Sequence, residues 1–146
     1  MKHLMFLALP LLLAGSAAQA KTAPLKWGPA PAALPAGAQM AVVSGDPTKK
    51  GMFVVELKMP ADYAVPPHSH PTSERVTVLS GKLHYAMTDK IDMARAKTLR
   101  AGHSVTMTAK MHHWVHAPAE ATIRVSGMGP FQITYVDPKD DPRNAK

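Results

Sequence analysis

The segment PPHSHPTSERVTVLSG, residues 66–81, sets two histidines one residue apart, His68 and His70, then Glu74 four positions on, and ends at a turn glycine, Gly81. In a strand, residues of equal parity face the same way, so the three side chains share a face. Neutral imidazole nitrogens and a carboxylate oxygen suit a divalent transition metal, and a closed sheet would shield such an ion from bulk water. A fourth donor then has to come from another strand. The second histidine-rich stretch, KMHHWVHAP at 110–118, offers His112, His113 and His116. Adjacent His112 and His113 face opposite sides of a strand, so only one of them can turn to the same interior.

Outward from this segment the pattern keeps a period of two. Phe53, Val55, Leu57 and Met59 alternate with polar or smaller residues, as do Val76 and Val78, Leu83, Tyr85 and Met87, Val105 and Met107, Ile123 and Val125, and Phe131, Ile133 and Tyr135. Short alternating runs separated by Gly, Pro and Asp turns indicate an all-β antiparallel sandwich or small barrel. Only Asp89 to Ala96 has room for a helical turn or two. Met52, Met59, Met87, Met107 and Met111 fall at alternating positions rather than in a cluster, which suits packing better than a copper-handling thioether site.

At 146 residues the chain fits one domain. Residues 1–20 read as a cleaved secretory signal: Lys2 and His3 precede the apolar run Leu4 to Ala14, and Ala18-Gln19-Ala20 supplies a small-residue cleavage pattern. The run is shorter than the about 20 residues needed to span a bilayer. The reading places the mature protein in the periplasm or outside the cell, without a membrane anchor. Residues 21–39 form a Pro/Ala-rich extended arm able to lie across a neighbouring subunit, residues 40–137 the barrel, and residues 138–146 a flexible tail. With no cysteine, disulfides and thiolate ligands are excluded. The formal net charge is +7, yet the lysines and arginines are scattered and form no basic stripe interleaved with aromatics. The reading is therefore a solvated surface rather than a nucleic-acid interface. No nucleophile elbow, phosphate loop or nucleotide fingerprint is present.

The spacing His68-x-His70-x-x-x-Glu74, followed by Gly81, resembles the first motif of the cupin superfamily, and Gly102 with His113 resembles the frame of the second. The resemblance spans Met40 to Val136 and implies a small double-stranded β-helix, or jelly roll, of the RmlC-like kind. It implies that His68, His70, Glu74 and His113 bind one divalent transition metal (Zn, Cu, Fe, Mn or Ni), with Glu74 either a ligand or a general base. Departures fall at Asp62 and Lys110, where the motifs have glycine, at Thr108 in place of proline, and at Ala117 in place of asparagine. Asp62 implies a different turn into its strand, and Lys110 a backbone that a side chain dislikes. His84, His103 and His116 read as surface or interface residues. Family habit and the need to cover sheet edges point to a homodimer.

Two functions follow from the resemblance. One is a small metalloenzyme of the oxygenase, isomerase or lyase type acting on a small oxygenated molecule, with Tyr85, Met87, Phe53 and Trp114 framing its pocket. The alternative is a non-catalytic small-molecule or metal-binding module of the cell envelope.

Overall fold

The structure, a computed structural model, describes residues 23–145; the leader read over residues 1–20 lies outside them. Eleven strands follow one another: β1 (Trp27–Pro29), β2 (Gln39–Ser44), β3 (Gly51–Met59), β4 (Tyr63–Ser69), β5 (Glu74–Ser80), β6 (Lys82–Ala86), β7 (Lys97–Arg100), β8 (Ser104–Met107), β9 (His113–Ala117), β10 (Ala121–Gly129) and β11 (Thr134–Tyr135). They form two antiparallel sheets, of order β1-β2-β3-β10-β5-β8 and β11-β4-β9-β6-β7. This is the all-β antiparallel architecture expected from the period-two runs, and the jelly roll that the motif resemblance implies.

The alternating residues supply the space between the sheets. Phe53, Val55 and Met59 of β3, Val76 and Val78 of β5, and Ile123 and Val125 of β10 meet Tyr63, Val65, Leu83 and Val115 of the other sheet in one buried cluster. Val55 stands directly opposite Val125. Burial of each such side chain contributes about 1.5–3 kcal/mol. The methionines divide: Met59 and Met107 are buried in this core, whereas Met52 and Met111 are exposed, so packing accounts for only some of them.

Three local features position the site. Gly81 closes the β5–β6 turn with φ +74, and a Cβ there would fall 2.5 Å from the Glu120 carbonyl oxygen, so only glycine fits. Along β4 the inward parity changes: Tyr63 and Val65 face the core, then His68 does, because the β4–β9 register shifts between Val65 and His68. Pro66 and Pro67 fill that shift, and prolines, lacking an N–H for the ladder, belong at bulges. At Asp62 and Lys110 the backbone adopts φ 61 and φ 65. The left-handed conformation natural to glycine is thus present at both departures from the motif, and the turn at Asp62 keeps it rather than replacing it.

The arm folds onto its own barrel. Ala30 N donates to Ala38 O at 3.0 Å and Leu34 N to Pro31 O at 2.9 Å. Two core tyrosines hold it down, Tyr63 OH donating to Pro35 O at 2.6 Å and Tyr135 OH to Ala33 O at 2.8 Å. The expected helical segment reduces to one 3-10 turn, Met93–Arg95, capped by Asp92. In the tail, read from sequence as flexible, Arg143 pairs with Asp141 at 2.7 Å and donates to Ile133 O at 3.1 Å.

Candidate metal centre

His68 lies on β4 and directly opposite His113 on β9 in the register of the five-stranded sheet, with Tyr135 of β11 on the other flank of His68. His70 follows one residue past the end of β4. Glu74 does not share their strand. The chain turns at residues 71–73, and Glu74 opens β5 in the facing sheet, paired with Gly127 and Met107. Equal parity along one strand is therefore the wrong reason for its inward aim; the carboxyl meets the histidines because the two sheets face each other.

All four side chains are buried, at 2–7 % exposure. Ring centres are 4.3 Å apart for His68 and His113, 4.9 Å for His68 and His70, and 5.3 Å for His70 and His113. Each histidine brings one ligating atom to within 4.8 Å of the others. Glu74 stands at the edge of this group with Oε2 3.4 Å from His70 Nε2. Two donors on one ion, each about 2.1 Å from it, lie roughly 3 to 3.5 Å apart, so this separation fits a shared cation. Of the second cluster, His113 is the member that enters. His112 instead bonds through Nδ1 to Asp89 Oδ1 at 2.7 Å, and Trp114, on the face opposite His113, is fully buried with Nε1 donating to Thr88 Oγ1 at 2.9 Å.

The hydrogen bonds settle which imidazole edge is free. His68 Nδ1 lies 2.6 Å from Pro66 O, His70 Nδ1 2.7 Å from Gln132 O, and His113 Nδ1 3.1 Å from Met111 O. A carbonyl oxygen only accepts, so each Nδ1 carries the proton, and each Nε2 keeps a lone pair for a metal. Pro66 and Met111 are local, each two residues from its ring, but the partner of His70 is invisible in the local sequence, since Gln132 is 62 positions away. Electrostatics agree. Burial, with the neighbouring His113 and His70, drives the His68 pKa far below the ordinary imidazole value despite its bond to Pro66. Burial brings His70 down to about 4 against the Gln132 carbonyl, which favours its proton; burial likewise lowers His113. The same burial pushes the Glu74 carboxyl up to about 8. Close as they are, His70 and Glu74 are thus a neutral imidazole and a protonated acid near neutral pH when no cation is present, not an ion pair. The donor set fits a divalent ion, whose charge would reverse the preference at Glu74.

Beside the histidines lies a cavity of about 80 Å³, lined by His68, His70, Phe53, Met59, Tyr63 and Ile123 among others and roofed by Pro31 and Leu34 of the arm. No charged side chain lines it among the described residues. Of the residues expected to frame a pocket, Phe53 does so, whereas Tyr85, Met87 and Trp114 do not border this cavity.

Comparison with known proteins agrees with this architecture. A family model described as "Cupin domain" matches residues 54–126, and the chain belongs to the cupin superfamily. Its fold is similar to that of a putative acetylacetone dioxygenase from Methylibium petroleiphilum (22 % identity, TM-score 0.63, covering 81 % of this chain and 79 % of that one). It is also similar to the polyketide cyclase RemF from Streptomyces resistomycificus (16 % identity, TM-score 0.60, 72 % and 75 %). An RmlC-like cupin from Shewanella frigidimarina shares the architecture too (17 % identity, TM-score 0.53, 63 % and 76 %). At these identities the likeness is one of fold. No curated protein matches the chain in sequence.

Proposed function

We propose that this chain is an exported cupin that holds one divalent transition metal through His68, His70, His113 and Glu74 and uses it to turn over a small oxygenated molecule with an apolar body. The reading is carried by the three Nδ1 to carbonyl contacts, which leave three pinned, neutral imidazoles with free Nε2 atoms in one buried place. When bound, the metal supplies a Lewis acid for an oxygen donor of the substrate. The chain supplies the rest. Phe53, Met59 and Ile123 take up the apolar body, Pro31 and Leu34 keep bulk water out, and the Glu74 carboxylate completes the ligand set through Oε2. With no lysine or arginine in the lining, a small neutral or singly chelating ligand suits the cavity better than a dianion.

The test begins with elemental analysis of protein taken from its native compartment. One equivalent of metal is expected, lost in His68→Ala and in His113→Ala, and held about tenfold or more weakly in Glu74→Gln. Full stoichiometry in both histidine variants would mean that the ligand set is wrong. If Glu74→Gln keeps its metal but loses turnover, the carboxyl is a base rather than a ligand.

A second reading, a binding module without turnover, is favoured by the roofed cavity, whose volume admits a ligand of only a few non-hydrogen atoms. Metal-loaded protein that binds small oxygenated molecules yet converts none under air would establish it. Export rests on the leader pattern of residues 1–20, and amino-terminal sequencing of the recovered protein should then begin near Lys21. Homodimer formation rests on the sheet edges and on exposed apolar side chains such as Val42, Val43 and the cross-strand neighbours Met52 and Met128; sedimentation should give twice the chain mass. Among the described residues no helix is long and apolar enough to cross a membrane.

A further inference from the structure

The face of the five-stranded sheet turned away from the barrel carries a second histidine pair that has no part in the centre described above. His84 on β6 and His116 on β9 are directly opposed in the antiparallel register, with ring centres 5.9 Å apart. Side chains so placed have Cβ atoms about 4.5–5.5 Å apart, close enough for both rings to reach one point above the sheet. His116 shares β9 with His113, but lies three positions on, an odd offset that turns it outward where His113 points inward, so the two serve opposite faces.

These rings differ from the inner three in one respect. Nδ1 of His84 and Nδ1 of His116 are both shut off from solvent, and neither has a hydrogen-bond partner. Two unpartnered imidazole nitrogens on adjoining positions mean that no protein group fixes either ring, which leaves both free to turn towards a common ligand. A third donor stands beside His116. Asp62, in the β3–β4 turn, places Oδ1 3.7 Å from His116 Nε2. That is too long for a hydrogen bond and slightly beyond the roughly 3 to 3.5 Å that two donors on one ion span, a gap that the exposed carboxylate closes by turning. The Asp62 carboxylate is open to water, so an ion has a way in. Burial, His116 and nearby Lys82 hold the His84 pKa below its usual value, which keeps the ring neutral and able to ligate.

We propose that His84, His116 and Asp62 form a second, solvent-facing site for a borderline divalent metal such as Zn2+, on the opposite side of β9 from the barrel centre. Because no carbonyl holds these rings, they turn about χ2 to present a nitrogen, and the site binds more weakly than the inner one. It ties together β6, β9 and the β3–β4 turn.

Equilibrium dialysis of the mature protein against Zn2+, read by elemental analysis, tests this independently of the barrel centre. With the inner site filled, a second equivalent is expected. His84→Gln and His116→Gln should each abolish that equivalent and keep the first, and Asp62→Asn, which tolerates the left-handed backbone, should weaken it about tenfold. His113→Ala should lose the first equivalent and keep the second. Were the barrel to bind nothing, native protein would still take one equivalent, removed by His84→Gln and not by His113→Ala. The proposal is overturned if all bound Zn2+ survives the His84→Gln, His116→Gln double variant. It is overturned equally if the second equivalent appears only as the sedimenting mass doubles, which would place the ion between two copies.

Discussion

Each barrel histidine gives its Nδ1 proton to a main-chain carbonyl, and this single bond decides the chemistry of the ring. It also sets how the metal-free protein responds to pH. His68, His70 and His113 have folded pKa values below the ordinary 6.5, so the stability they contribute is fully present above that value and is lost as pH falls below it. Glu74 runs the other way: raised from 4.5 to about 8, it contributes stability present below its unfolded value and lost as pH rises towards 8. Below 6.5 the unfolded chain gains up to three protons on the histidines against one held by the folded Glu74, so the histidines prevail. Urea midpoints of chelator-treated protein should therefore peak near pH 6.5 and decline on both sides, and Glu74→Gln should remove the alkaline decline alone. A flat profile between pH 4.5 and 8 would contradict the buried, unpaired state of these groups. His68, His70 and Glu74 were legible from spacing, whereas His113 was singled out from its neighbours only by resemblance to the second cupin motif. The carbonyl partner of His70 was not, since Gln132 belongs to another segment. The same holds for the outer trio: Asp62, His84 and His116 sit in three separate stretches and become neighbours only through strand pairing.

At the level of elements, strands with two or more large inward residues were readable: β3, β5, β6 and β10 all announce themselves by alternation. Strand β7 buries only Leu99, too little periodicity to be seen, and of the run read at Phe131, Ile133 and Tyr135 only Thr134–Tyr135 pairs, as β11. The segment leading into β9 shows how a local rule is broken. Lys110, at φ 65, occupies a conformation that costs an L-residue about 1–2 kcal/mol, and the segment is held there by Lys110 N donating to His70 O at 2.8 Å. Lys110→Gly should relieve that strain. After the glycine's larger loss of freedom on folding, of about 0.5–1 kcal/mol, a net gain of up to about 1.5 kcal/mol remains, measurable as a higher denaturant midpoint with an unchanged slope. A loss of stability would show that the lysine side chain contributes more than its backbone costs.

For the molecule as a whole, the arm governs access. Its proline content made an extended course legible, but its destination depends on two phenols from distant strands. Burial pushes the Tyr63 phenol up to about 12 and that of Tyr135 higher still, so both remain donors across the physiological range. Removing both hydroxyls in the Tyr63→Phe, Tyr135→Phe protein deletes two bonds of about 1 kcal/mol each, which corresponds to roughly 30-fold faster exchange of the Leu34 amide. The amide of Val78, deep in the six-stranded sheet, should keep its protection. Equal acceleration at both amides would mean that the arm and barrel open as one unit.

The bulge at Pro66 and Pro67 has a wider implication. The hydrophobic code of β4 ends at Val65, and the metal-ligating code begins at His68 in the opposite phase. Regular alternation carried through both prolines would deliver the imidazoles of His68 and His70 to the outside, while leaving every apolar residue of the other strands as it was; the one extra residue of the bulge restores their inward aim. One irregularity in a single ladder therefore separates a barrel equipped for coordination chemistry from an inert container of the same shape.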